Sequence, residues 1–128
     1  MRTFAVALLS VTLVGCASRA THRAAPNEEP AAARSGPVCL LQSPLPESVR
    51  HRTIGQIDAS KRWYGGTGAL MPLMADEGRK LGADAVVNIR SGQKIGLFAW
   101  ATPYAYGTAV KLEDAKDLNC LALGGEIR

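Results

Sequence analysis

Residues 78–89, with the sequence GRKLGADAVVNI, decide the fold of this chain. The segment predicts the last turn of a helix, a tight turn and a buried strand. Gly82 follows the last apolar helical position, Leu81, and a left-handed glycine at that place ends many helices. The run from Ala85 to Ile89 is the most strand-like in the chain. The sequence therefore predicts a helix that leads directly into a central strand.

The flanking residues predict an α+β domain. A helix is expected from Leu70 to Leu81, with Pro72 in its first turn, where proline is tolerated. One helix face is apolar (Met71, Met74, Gly78, Leu81), whereas Asp76, Glu77, Arg79 and Lys80 are expected to face water. Strands are expected at 52–59 with a bulge at Gly55, at 94–101, at 104–112, around Cys39 and at 120–123, with a turn at 91–93. This order predicts a small antiparallel sheet with one helix packed on one face, of β-α-β-β type.

The composition bounds the class of protein. The chain has 128 residues, of which 47% are hydrophobic and 20% charged, and this argues for one globular domain. The formal net charge of +4 is mild, and the Lys and Arg residues are scattered along the sequence. We therefore expect no nucleic-acid partner, because nucleic-acid domains usually cluster their basic residues on one element.

The N-terminus predicts an export signal. Arg2 precedes an apolar run over residues 4–14, which is too short to span a bilayer and fits a signal-peptide core. The run ends in Leu13-Val14-Gly15-Cys16, which resembles the lipobox of bacterial lipoproteins. The resemblance implies a signal peptide over residues 1–15 and diacylglycerol on the thiol of Cys16. The residue after the cysteine is Ala17 and not Asp, which resembles the pattern of lipoproteins that are transported to the outer membrane. The alternative is an ordinary secretory signal with a chance cysteine.

The mature chain divides by composition. Residues 16–37 contain no large aliphatic or aromatic side chain, which predicts a flexible tether, and residues 38–128 form the domain. With Cys16 lipidated, Cys39 and Cys120 are the two remaining thiols. A disulfide between them is expected, and it would stabilise the domain by roughly 4 kcal/mol. The alternative is two separate buried thiols.

Two segments resemble a known family. Residues 81–89, LGADAVVNI, are similar to the GADAVV core of YbjQ-like proteins, and residues 105–111, AYGTAVK, resemble the strand that closes the same domain. Residues 54–57, IGQI, stand where the first strand of that family lies. The resemblance implies a YbjQ/dodecin-like β-α-β-β fold, assembly into rings, and no defined enzyme activity. The layout of anchor, linker and small domain also resembles lipoprotein sensors of the Rcs envelope-stress system, although those have four domain cysteines.

The sequence predicts a non-enzymatic role. No nucleophile with a base at motif spacing, and no poised acid–base pair, is found. We expect an outer-membrane lipoprotein that binds another envelope protein or itself, with no cofactor. The expected interface is an aromatic set: Trp63, Tyr64, Phe98, Trp100, Tyr104 and Tyr106. The alternatives are an envelope stress or redox sensor, or a weak metal-binding protein that uses His51 with reduced Cys39 and Cys120.

Overall fold

The computed structural model describes residues 18–97, 99–114 and 118–128. Within these ranges lie six strands and one α-helix: β1 (Ser18–Ala24), β2 (Cys39–Leu40), β3 (His51–Lys61), α1 (Met71–Leu81), β4 (Ala85–Lys94), β5 (Thr102–Leu112) and β6 (Glu126–Ile127). A 3₁₀ turn, Thr67–Leu70, comes directly before α1. The strands form a single sheet in the order β1-β3-β5-β4-β2-β6. The predicted α+β fold is confirmed. The sheet is mixed, because β2 runs parallel to β4 while the other pairs are antiparallel.

The helix and its turn follow the prediction. Gly82 ends α1 at a φ of 79°, and its N–H donates to the carbonyl oxygens of Arg79 and Gly78. Gly78 lets the helix approach the sheet closely, since a Cβ there would lie 3.2 Å from Val86 Cγ2. Met74 of this helix is fully buried in a core with Val38, Ile57 and Val86 among others. The predicted bulge is also present, as the β3–β5 register shifts between Thr53 and Gly55.

One helical position differs from the prediction. Glu77 was expected to face water, but its side chain is only 8% exposed. It is covered because His22 of β1 lies against α1, with His22 Nδ1 2.5 Å from Glu77 Oε2. Lys80 Nζ donates to the other carboxylate oxygen at 2.7 Å.

The expected tether is partly a strand. Residues 16–37 were predicted to be flexible, yet β1 pairs antiparallel with β3 along its whole length, from Ser18 opposite Lys61 to Ala24 opposite Gly55. An edge strand is held by backbone hydrogen bonds, which need no large apolar side chains. The two strands lie close together, since a Cβ on Gly55 of β3 would lie 2.6 Å from the carbonyl oxygen of Arg23 in β1. The sheet therefore begins before residue 38.

Two strand predictions are wrong. Residues 94–101 were expected to form a strand, but β4 runs on through the expected turn to Lys94, and 95–101 connect it to β5. Register explains this, because Lys94 already lies opposite Thr102. Thr102 and Pro103 therefore begin β5 and do not interrupt a strand. Cys120 lies in a turn, where Gly125 N–H donates to its carbonyl oxygen, and the last strand is β6.

A second core covers half of the sheet face opposite α1. Leu41, Leu45 and Val49 from the β2–β3 connection pack there on Val87 and Val110. The predicted disulfide joins Cys39 to Cys120 at the edge of this core. The cover stops at Asn88, which has a φ of 53°, and there the β4–β5 register shifts. Beyond this bulge the same face of the sheet is open.

Candidate functional site

The uncovered part of the sheet, here named the open face, is a concave surface. It is a shallow hollow of about 590 Å³. Strand register brings its side chains into rows, since Thr21 lies opposite Asp58, Asp58 opposite Tyr106, and Tyr106 opposite Arg90. The next row contains Arg19, Ser60, Tyr104 and Gly92. Four strands thus contribute to one surface.

A tyrosine pair forms the centre of the open face. The rings of Tyr104 and Tyr106 are stacked, with centroids 6.2 Å apart and planes 6° from parallel. Gly92 makes room for this pair, because a Cβ at that position would lie 2.9 Å from the Tyr104 hydroxyl. Tyr106 is 48% exposed even in this stack. The face therefore presents a flat aromatic surface to solvent.

The charges around the tyrosines are mostly positive. Lys94 Nζ lies 5.8 Å from the centre of the Tyr104 ring, within range of a cation–π contact. Arg19 lines one side of the hollow and Arg90 is in register with Tyr106. Asp58 is the carboxylate among the lining residues. Such a surface suits a partner with acidic groups and planar or apolar side chains.

The remaining described residues of the predicted aromatic set lie with two exposed aliphatic residues on a separate surface, here named the aromatic end: Trp63, Tyr64, Ile95, Leu97 and Trp100. Tyr64 joins the two segments that build it, with its ring centre 5.6 Å from that of Trp63 and 5.8 Å from that of Trp100. The predicted aromatic interface is therefore two surfaces, one on the sheet face and one at the strand ends. Phe98 lies outside the described residues.

Asp84, in the turn before β4, serves the fold and lies away from both surfaces. Its Oδ2 accepts the N–H of Leu112 at 2.9 Å, and its carboxylate also pairs with Arg34 and Lys111. It therefore fastens β4 to the end of β5.

The other predicted site residues lie partly within and partly outside the described residues. The lipobox, Leu13, Val14, Gly15 and Cys16, lies outside the described residues. Cys39 and Cys120 are bridged, so their thiols do not act as ligands, and His51 Nδ1 lies 2.8 Å from the carbonyl oxygen of Val49. In the described ranges no three His, Cys, Asp or Glu side chains come together as a metal site. No helix there is long and apolar enough to cross a membrane.

Sequence reasoning missed the contributions of β1 and β3 to the open face. Arg19 and Thr21 were placed in a tether, and Asp58 received no role. Alternation along the RATHR segment could have signalled a strand, because Ala20 packs on the core while Arg19 and Thr21 face solvent.

Comparison with known proteins gives a partial relative. No protein-family model matches the chain, and no solved structure matches it. A UPF0145 protein of Thermosipho africanus (strain TCF52B) is 46% identical over 44 residues, which are 34% of this chain and 41% of the relative. The chain thus matches less than half of the relative's length. UPF0145 is the YbjQ family, so the YbjQ-like domain inferred from the sequence is supported. The relative's name states no activity.

Proposed function

We propose that this protein is a non-enzymatic lipoprotein of the bacterial outer membrane, anchored by Cys16, whose domain binds another envelope protein through the open face. The lipobox sequence Leu13-Val14-Gly15-Cys16 supports the anchor. The partially matching relative supports the domain type and assigns it no chemistry. The role is that of an accessory binding module held at the membrane.

The observation that carries the binding role is the exposed tyrosine pair. Tyrosine is enriched at protein interfaces, because it offers a large rigid contact area together with a hydroxyl group. Here two stacked rings stand on a sheet face that the β2–β3 connection leaves uncovered. Arg19, Arg90 and Lys94 surround them with donors for carboxylates. We therefore expect the partner to present an acidic segment to this face.

Crosslinking in intact cells tests the binding role. A photo-crosslinking phenylalanine analogue in place of Tyr106 is expected to give a discrete adduct with an envelope protein, identified by mass spectrometry. The matched control carries the same analogue in place of Leu121, which is 68% exposed and lies outside the open face. The adduct is expected to disappear in the additional variant Tyr104→Ala.

The adducts discriminate between partners. An adduct at twice the mass of the chain, made from Tyr106 and lost with Tyr104→Ala, would identify a second copy of the protein as the partner, in agreement with the ring assembly implied by the family resemblance. Equal adducts from Tyr106 and Leu121, or none from Tyr106, would contradict the proposal.

The disulfide bears on the alternative of a redox sensor. Cys39 and Cys120 are 5% and 6% exposed, respectively, and belong to the second core. Labile, regulatory disulfides tend to be exposed or strained. The burial of both cysteines therefore favours a structural role for this bridge.

A further inference from the structure

The aromatic end exposes more large apolar surface than any other group of described residues. Leu97 is 89% exposed, Ile95 85%, Trp100 76% and Trp63 55%. An apolar patch of this kind on a soluble domain usually marks a contact with a protein or a membrane. Both tryptophans of the chain lie in it.

Four strands place this patch at one end of the sheet. β3 ends at Lys61, just before Trp63, while β4 ends at Lys94 and leads into Ile95 and Leu97. The register pairs Lys94 with Thr102 at the start of β5, and Lys61 with Ser18 at the start of β1. The first described residue of the chain is therefore at the same end as the patch.

The short chain between Cys16 and Ser18 limits how far a lipid on Cys16 can lie from this end. Cys16 precedes Ser18 by two residues, and two fully extended residues span about 7 Å. A lipid on Cys16 therefore brings the bilayer to the aromatic end, whatever path those two residues take. The remainder of the domain extends away along the strands.

The charges at this end complement an anionic membrane. Lys61, Arg62 and Lys94 line a hollow of about 370 Å³ that Leu97 also borders. Residues 59–75 and 85–112 contain no Asp or Glu, so the basic side chains here have few nearby carboxylates. Basic residues close to an anionic leaflet are attracted to its phosphates. Trp and Tyr are in turn enriched at the headgroup level of membranes.

We infer that the aromatic end is a membrane-docking surface, which seats the domain directly on the anionic lipid leaflet that holds its anchor. This inference rests on the proposed lipidation of Cys16. Trp63, Trp100, Ile95 and Leu97 enter the interfacial layer, and Lys61 and Arg62 contact lipid phosphates. The open face then stands beside the membrane and remains free for a protein partner.

Tryptophan quenching tests the docking. The mature protein from a bacterial envelope is reconstituted into vesicles of phosphatidylethanolamine and phosphatidylglycerol, with or without brominated acyl chains. Bromine quenches indoles that reach the acyl region, so we expect a loss of about half of the tryptophan fluorescence. The charge-reversal variant Lys61→Glu/Arg62→Glu is expected to lose most of this quenching while remaining attached to the vesicles.

A matched control places the tryptophan indole at a position away from the aromatic end. The variant Trp63→Phe/Trp100→Phe/Leu121→Trp carries its single indole in the turn after Cys120, near the opposite end of β4. The ten residues from Ala85 to Lys94 span about 30 Å. This variant is expected to float with the vesicles and to show no quenching.

The outcomes separate the inference from the proposed function. Protein that floats with the vesicles but keeps its Trp63 and Trp100 fluorescence would overturn the docking and leave the anchor intact. Blue-shifted, unquenched tryptophans would mean that a second copy of the chain covers the aromatic end, which also overturns it. Protein that does not float would overturn the anchor, and the docking with it. Equal quenching of the Leu121→Trp control would contradict the assigned surface.

Discussion

Gly82 shows at the scale of one residue why the segment 78–89 determines the fold. Its left-handed φ of 79° favours glycine, since an L side chain in that conformation costs about 1–2 kcal/mol. The structure adds a second constraint that the sequence did not reveal. A Cβ on Gly82 would lie 2.3 Å from the carbonyl oxygen of Ala32 and 2.8 Å from Cβ of Ala31. The chain before β2 therefore passes directly over the helix cap.

Substitution of Gly82 tests this constraint. Gly82→Ala is expected to lower the free energy of unfolding by at least about 2 kcal/mol, because strain and displacement of residues 31–32 add together. Gly68→Ala is the matched control, since no atom lies within 4 Å of the added Cβ and its φ is not positive. Urea unfolding followed by circular dichroism measures both. Equal midpoints for the two variants would show that the cap is not critical.

At the scale of elements, the contact between β1 and α1 is the main addition to the predicted fold. Burial raises the pKa of Glu77, but hydrogen bonds from His22 and Lys80, with the charges of those two residues, outweigh it and hold the pKa below its ordinary value. A lowered pKa in the folded state means that the ionised carboxylate stabilises the fold above the ordinary pKa of Glu. This stability is lost as the pH falls through the lowered value.

The pH dependence of stability tests the contact. Glu77→Gln is expected to lower the free energy of unfolding by about 2 kcal/mol at pH 7, because two charged hydrogen bonds are weakened. It is also expected to flatten the fall in stability of the wild type as the pH drops below about 4.5. Asp76→Asn, on an exposed carboxylate that pairs with Arg79, is the control. A wild-type slope retained in Glu77→Gln would contradict the assignment.

The elements that the sequence predicts well have strong local signals. Helix α1 is defined by Pro72, the spacing of Met74, Gly78 and Leu81, and Gly82. Strand β1 has only a weak local signal, the alternation along RATHR, because an edge strand of small and polar residues depends on β3 for its hydrogen bonds. The strand wrongly predicted at 94–101 has the opposite cause, a local signal that no strand pairing supports. Its apolar alternation resembles a buried strand, but Ile95 and Leu97 lie on a connection and are exposed.

The candidate sites show the same contrast between features with a local sequence signal and features that depend on strand pairing. The disulfide could be predicted from the cysteine count, and the aromatic set from its composition. Its separation into two surfaces could not, since that depends on where β4 ends and how β5 pairs with it. Tyr104 and Tyr106 alternate with Ala105 and therefore share the open face. In contrast, Trp63 and Trp100 both contact Tyr64 only because two connections lie at the same end of the sheet.

At the scale of the whole molecule, one disulfide links the two ends of the domain sequence. Cys39 and Cys120 are 81 residues apart, so the bridge closes most of the domain into a loop. The double variant Cys39→Ala/Cys120→Ala is expected to lose about 4 kcal/mol of stability through the added entropy of the unfolded chain. Urea unfolding measures the loss. A difference below about 1 kcal/mol would mean that the bridge contributes little.

The molecule as a whole combines the proposed anchor, the proposed docking end and the proposed binding face on one sheet. β1 connects them, because it starts two residues after Cys16 and contributes Arg19 and Thr21 to the open face. The proposed lipid is therefore coupled to the sheet itself, without a long spacer. This arrangement fixes the orientation of the open face relative to the membrane.

The most direct test of this account is the intact mass of the protein extracted from the bacterial envelope. We expect a chain that begins at Cys16 and carries a diacylglycerol and an N-linked acyl chain, and we expect the lipid mass to be absent from Cys16→Ala. A wild-type chain that begins elsewhere, or one that begins at Cys16 without lipid, would contradict the account.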